Sequence, residues 1–490
     1  MTQIQYDVLK QTIRTLYIKV NLLNANFNVI GEITGNVVSG NTSISSTSNI
    51  RRTFDIDMVI TDSSLDLQPG GKIWMYRIIQ PMIGVKDIQS GDIIWYNQGM
   101  GIVDEPSWKF DNKTSTLSFS ALDLICLFDG TYDGNLVFPG DFVVSAGENV
   151  RKAIIDSIEY FSENFKISTM VQECKNVDDS IVDVPNDLTF SQGSTLWDVL
   201  TSLRDILPNY QMYFDIDGVF HYEPVPYLEN PYISLDDDMW DYAVISEDTS
   251  ISLRDVYNHI VIYGRSHDVQ YYLGQLEFAS FPTGAGNYIT AYNASSYNNL
   301  FSDGQLYGFV PAAVNNSSKT DYYLQVGDGD NEPLPIVTEE GTKPKLTIGE
   351  YYVLEYTEEY YNGSFNFFKF LGGYQAYGEA SDTNKDSPFS IQTLGVSKTK
   401  VLTGGDYDYI YSDSLAQERA EWEIYRNSRT YDTIKLSCVP IYFLDVNTIV
   451  EYTSKRTGEK AQYLVQAVST DWSHEGTMSV TLQKYYPYYN

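Results

Sequence analysis

The chain has 490 residues, 43% of them hydrophobic, which supports several cores and excludes wholesale disorder. At about 100–200 residues per domain, three or four domains are expected. The formal net charge of −33, from 65 acidic and 32 basic residues, excludes a basic grip on DNA or RNA, because phosphate binding needs Lys/Arg patches; like charge instead suits a non-stick wall, or solubility alone.

In chain order, residues 11–130 alternate apolar and polar runs between turn residues. Leu16–Val20 reads as a strand, and residues 40–48 as a Ser/Thr/Asn-rich loop. Along residues 52–60, Phe54, Ile56 and Met58 point one way and Thr53, Asp55 and Asp57 the other. Pro69-Gly70-Gly71 turns into a strand over 72–79, and strands at 99–103 and 115–124 follow. Short strands at this spacing predict a closed or nearly closed barrel over 1–130.

Residues 131–228 predict a small α+β domain. Ser145 and Glu148 form a capping box before a helix face of Val150, Ile154, Ile155, Ile158 and Phe161. Thr195 and Asp198 form a second, before Trp197, Leu200, Leu203 and Leu207, and Pro208 stops that helix. Asp217-Gly218 between alternating runs predicts a hairpin whose two central residues both take positive φ.

A strand over 256–264 opens the next region. Residues 268–386, rich in Gly, Asn, Ser and Tyr, read as an inserted β-rich domain. Ser414 and Gln417 cap a helix reaching about Asn427, and strands are expected at 433–439, 449–452 and 463–468. Residues 229–267 together with 387–490 are therefore read as one domain interrupted by the insert.

Tyrosine is abundant, with 41 residues, which fits strands and equally fits half-wet subunit contacts. Cys126, Cys174 and Cys438 lie far apart, so neither a disulfide scaffold nor a zinc site is expected, and Cys126 in its apolar run reads as a buried thiol. The N-terminus lacks a basic-then-apolar leader, and no run of about 18 apolar residues exists, so neither a signal peptide nor membrane insertion is expected.

The chemistry of an enzyme is hard to find. His221, His259, His267 and His474 lack metal-ligand spacing, and no nucleophile elbow or phosphate loop is present. Asp236-Asp237-Asp238 and Glu339-Glu340 are acidic pairs expected by chance among 65 acids, although two carboxylates can serve a glycosidase. Asp328-Gly329-Asp330-Asn331 with Glu339 resembles half of a calcium loop, but Pro333 stands where glycine is needed. The expectation is no catalytic residue, no metal and no cofactor.

Three stretches carry a resemblance. Residues 49–58, in which a Ser/Asn-rich loop feeds the Arg51-Arg52 strand, resemble the first barrel of phage tail hub proteins. Thr189-Phe190 through Pro226 look like their second domain. Ser387-Pro388-Phe389, Leu402 through Ala420, and Val439 through Asn447 are similar to the closing barrel of hubs from phages of Gram-positive bacteria. The resemblance covers about half of the chain and leaves 268–386 unmatched.

It implies a mainly β chain with α+β elements: two tube-like β-barrel domains, an α+β domain between them and a β-rich insertion domain. It implies a homotrimeric ring whose six barrels meet a six-fold tail tube and lead to a three-fold tip. The implied partners are the tail tube or distal tail protein, the tape measure protein, and a spike or tail-associated hydrolase, with DNA passing through the lumen without specific binding. The implied location is the virion tail, after assembly in the host cytoplasm. Arg51 and Arg52, at a loop-to-strand junction, are subunit-interface candidates; an intrachain surface pair is the other reading. Two other functions stay open: recognition of cell-surface glycans through the Tyr-rich 268–386 insert, and a hidden hydrolase.

Overall fold

The computed structural model describes residues 3–485 except 62, 111–112, 138, 162–164, 176–180, 185–186, 208–209, 226–234, 253, 278, 281–288, 294–301, 315–321, 327–332, 339–340, 362–363, 430 and 474. The fold is mainly β, and the described residues divide into two compact units, one from residues 3–255 and 431–485 and the other from residues 256–429. The segments expected to form one domain, 229–267 with 387–490, are thus shared between the two units.

The first unit is built on one sheet of 13 strands. Its path runs Val244–Ser252, Tyr431–Cys438, Met478–Lys484, Lys460–Asp471, Val37–Ser45, Arg52–Val59, Ser115–Leu122, Gly101–Phe110, Ile78–Lys86, Leu16–Leu23 and Val29–Thr34. Ile449–Thr453 and Ile93–Asn97 join it from the side. The N-terminal and C-terminal strand sets meet where Lys460–Asp471 pairs antiparallel with Val37–Ser45, placing Ser469 opposite Ser43.

Period-2 alternation explains how this sheet covers its core. Along Arg52–Val59, residues Arg52, Phe54, Ile56 and Met58 are buried while Asp55 and Asp57 are exposed. At the meeting of the strand sets, Trp472 is buried flat against Gly40, where any Cβ would overlap its ring, and its indole N–H donates to Thr42 Oγ1 at 3.0 Å.

The α+β part lies within the same unit. Helices Val150–Phe161 and Leu196–Arg204 bury Val150, Ile154, Ile158, Trp197, Leu200 and Leu203. Thr195 and Asp198 form the expected reciprocal box. The first helix is capped one turn later than expected: Asn149 Oδ1 accepts the Lys152 N–H at 3.0 Å. In the hairpin between Tyr210–Phe214 and Val219–Pro224, only Gly218 of the Asp-Gly pair has positive φ, at 76°. Asp215 Oδ1 accepts the N–H groups of Asp217 and Val219, both at 2.9 Å, so a longer turn closed by a side chain replaces the two-residue turn.

In the second unit, Gln375–Ser381, His259–Ser266 and Thr399–Thr403 form a three-stranded sheet. Helix Asp413–Asn427 packs on it through Ala416 and Ala420 against Ile260, Ile262 and Ala376. Ser412, not Ser414, is its N-cap, accepting the Leu415 N–H. An eight-stranded sheet, from Tyr271–Glu277 to Ser364–Gly372 at its chain ends, carries an aromatic core that includes Tyr307, Phe309, Tyr322 and Phe368. No helix among the described residues is long and apolar enough to cross a membrane.

Candidate functional site, a buried arginine pair

Arg52 begins the strand Arg52–Val59, which pairs with Val37–Ser45, and Arg51 immediately precedes it. Arg52 is 2% exposed, and its Nη2 donates to Asp445 Oδ2 at 2.7 Å. Gly99, with φ of 103°, makes room for it: a Cβ there would lie 2.6 Å from Arg52 Nη1. Arg51, also buried, reaches toward the α+β part, with its guanidinium 4.0 Å from the Tyr213 ring centroid and Nη1 donating to Gln211 Oε1 at 3.4 Å. Its Nη2 donates to the Val446 carbonyl at 2.9 Å and lies 3.8 Å from Asp445 Oδ1.

Three stretches far apart in sequence therefore converge: the Arg51-Arg52 strand, the hairpin carrying Gln211 and Tyr213, and the loop of Asp445–Asn447. Asn447, in the left-handed region at φ 56°, donates from its side chain to Gln211 Oε1 at 2.5 Å. Tyr213 donates to Glu223 Oε1 at 2.8 Å and stacks on His221, whose Nε2 is 3.0 Å from Asp215 Oδ2.

The electrostatics follow from burial. Burial works to raise the Asp445 carboxyl, but Arg52 and Arg51 overcome it and hold it below the usual carboxylate range. Asp123, 1% exposed, caps the turn at Leu124–Leu127 and is pushed up to about 6 by burial, which the attraction of Arg52 only partly offsets. Burial lowers the Arg51 guanidinium from its ordinary value, against the pull of Asp445. The arrangement is a clamp in which one carboxylate, Asp445, is shared by two buried guanidinium groups.

The other sequence candidates separate. Asp236 caps helix Asp237–Ala243 and pairs with Lys10 at 3.0 Å, while Asp237 pairs with Lys460 at 3.4 Å. His259 Nε2 lies 2.9 Å from Glu379. Among the described residues, no group of three or more His, Cys, Asp or Glu is placed to hold a metal. The half calcium loop at 328–331, Glu339-Glu340 and His474 lie outside the described residues. All three cysteines are buried free thiols, and burial raises them, Cys174 and Cys438 to about 12.

Sequence reasoning singled out both arginines and missed their partners. Asp445 carried a usable signal, a single carboxylate within the apolar run from Val439 to Val450. Both arginines are buried and contact Asp445 of this chain.

Residues 386–489 match a family model described as a domain of unknown function, DUF5048. A search of the curated proteins finds no match. Among solved structures, the chain is similar to the 43 kDa tail protein of prophage MuSo2 from Shewanella oneidensis, at 12% identity and a TM-score of 0.51, over 95% of this chain and 98% of that one. It is similar to the tail protein from Neisseria meningitidis MC58, at 9% identity and a TM-score of 0.51, over 96% of each chain. The chain therefore shares the fold of phage tail proteins along nearly its whole length.

Proposed function

We propose that this chain is a structural hub at the distal end of a phage tail, a homotrimeric ring that links the six-fold tube to a three-fold tip or spike. The observation that carries the reading is the fold shared with two tail proteins over 95% or more of each chain. The 13-stranded sheet fits it, since one continuous wall unites the two strand sets read as separate barrels. In this proposal the tube-like domains are 1–130 and the strands of 430–484, with 131–228 as the α+β domain between them. Arg51 and Arg52 serve assembly by holding that wall in register. A net charge of −33 suits a lumen through which DNA passes without adhering.

The partners are the tube or distal tail protein, the tape measure protein and a spike or hydrolase below, and the role is not enzymatic. The chain is carried in the virion after assembly in the host cytoplasm. Light scattering of the purified chain, alone and mixed with its tube and spike proteins, is expected to give trimers. A chain that stays monomeric in every mixture and is missing from purified particles would end the proposal.

A second reading has its own observation. Tyr272 and Tyr374, 51% and 61% exposed, flank Tyr351, with ring centroids 5.9 and 6.4 Å apart. Such a platform suits stacking on the apolar faces of sugars. If the second unit recognises host glycans, Tyr272→Ala with Tyr374→Ala lowers adsorption to host cells at least tenfold; unchanged adsorption removes this reading.

A further inference from the structure

In the second unit, Lys400 on strand Thr399–Thr403 reaches the last turn of helix Asp413–Asn427. Its Nζ donates to Asn427 Oδ1 at 3.1 Å. At the other end of the same carboxamide, Nδ2 donates to Glu423 Oε2 at 3.1 Å and to the Glu423 carbonyl at 2.7 Å. Glu423 and Asn427 are each 3% exposed. Arg419 Nε lies 3.3 Å from Glu423 Oε1, and the Tyr407 hydroxyl donates to that oxygen at 3.4 Å, which leaves Oε2 for the carboxamide. The Tyr257 N–H donates to the Asn427 carbonyl at 2.9 Å and fixes the backbone beneath it.

The carboxamide fits here one way only. The lysine donates and the carboxylate accepts, so the oxygen faces Lys400 and the nitrogen faces Glu423. That polarity is what acyl transfer at Cγ requires. The lysine nitrogen is held against the carbonyl it would attack, its N–H draws electrons from Cγ through Oδ1, and a carboxyl group touches the nitrogen that would leave.

We propose that Lys400 and Asn427 join in an intramolecular isopeptide bond, with Glu423 as the catalytic proton carrier. Nζ bonds to Cγ, and the bond from Cγ to Nδ2 breaks. The ammonium on Nζ gives up two of its three protons. Nδ2, which keeps its own two, takes up both and departs as ammonium. Glu423 Oε2 passes them to Nδ2. Atoms and charge balance, and no oxidant, reductant or cofactor is consumed. The fold supplies the proximity that a free amine would lack, and burial of Asn427 and Glu423 keeps water, the competing nucleophile, from Cγ. Arg419 and Tyr407 are positioning residues, acting through Glu423. The bond ties the strand that pairs with His259–Ser266 to a helix 27 positions further along the chain, and a cross-link of this kind survives loss of the fold.

Mass spectrometry of the full chain, denatured after purification, tests the bond. The expected intact mass lies one ammonia below that of the sequence, and after trypsin the peptides bearing Lys400 and Asn427 are expected as a single branched species. Lys400→Arg keeps a cation beside Oδ1 and removes the amine that reacts. Glu423→Gln keeps the shape and removes the proton carrier. Each variant is expected to show its full sequence mass and two separate peptides. The proposal is overturned if the wild-type chain has its full sequence mass with the two peptides separate, or if the deficit of one ammonia persists in Lys400→Arg. The wild-type measurement decides the matter even where a variant does not fold.

Discussion

The two units hold distant segments together by different means. In the first, the Arg51-Arg52 strand, the Tyr213 hairpin and the Asp445 loop meet around buried charge. In the second, the join is close backbone packing: Gly378 lies so near the Ala416 carbonyl that any Cβ would overlap it. Buried ions contribute little net stability once desolvation is counted, but they penalise every mispairing, because a misplaced partner leaves an uncompensated charge. Apolar packing tolerates small shifts more readily. The first unit therefore spends charge on register, at the point where strands from the two ends of the chain share one sheet, and the second relies on fit.

The sharpest way to break the contrast is to remove the shared carboxylate. Asp445→Ala leaves two buried guanidinium groups unpaired, and an expected loss of about 3 kcal/mol in urea unfolding reflects the partial exposure of Asp445. Replacing both ends, as Arg52→Leu with Asp445→Leu, is expected to recover part of that loss, since the buried Arg51 still lacks its carboxylate. Single and double variants that simply add would show that the charges are not coupled.

Next comes pH. Asp123, at about 6 in the folded chain, binds protons more readily than in the unfolded chain. Its contribution to stability is therefore full in acid and falls as pH rises from about 4 through about 6, by on the order of 3 kcal/mol. Asp445 works oppositely, contributing above the ordinary carboxylate value and losing its contribution only as pH falls through its lowered folded value. Asp123→Asn is expected to flatten the fall on the alkaline side, measured by urea unfolding at stepped pH.

Gly378→Val probes the second unit and is expected to cost about 2 kcal/mol, because helix Asp413–Asn427 must move off its strand. The smallest effect belongs to His259→Gln, which removes a contact to the largely exposed Glu379 and should shift stability by about 0.5 kcal/mol or less.

Local pattern was legible and distant pairing was not. The inward set Phe54, Ile56 and Met58 could be read because period-2 alternation is written into consecutive residues. Helix caps were legible to within a turn, since Ser145 and Asn149, or Ser412 and Ser414, are chemically able to accept the same N–H groups and only the geometry of the preceding loop chooses. The Ser43–Ser469 contact bridges 426 residues, and Arg52–Asp445 bridges 393, so neither leaves a local trace. This is why the division into units departs from the grouping read along the chain: membership is decided by sheet pairing across the whole length.

The central claim, a ring-forming structural subunit of a tail, is tested most directly by electron cryo-microscopy of assembled tails that carry this chain. The account predicts three copies in a ring at the distal end of the tube, with the continuous sheet of the first unit facing the lumen. Density for this chain anywhere else in the particle, in a number of copies not divisible into such a ring, would contradict it.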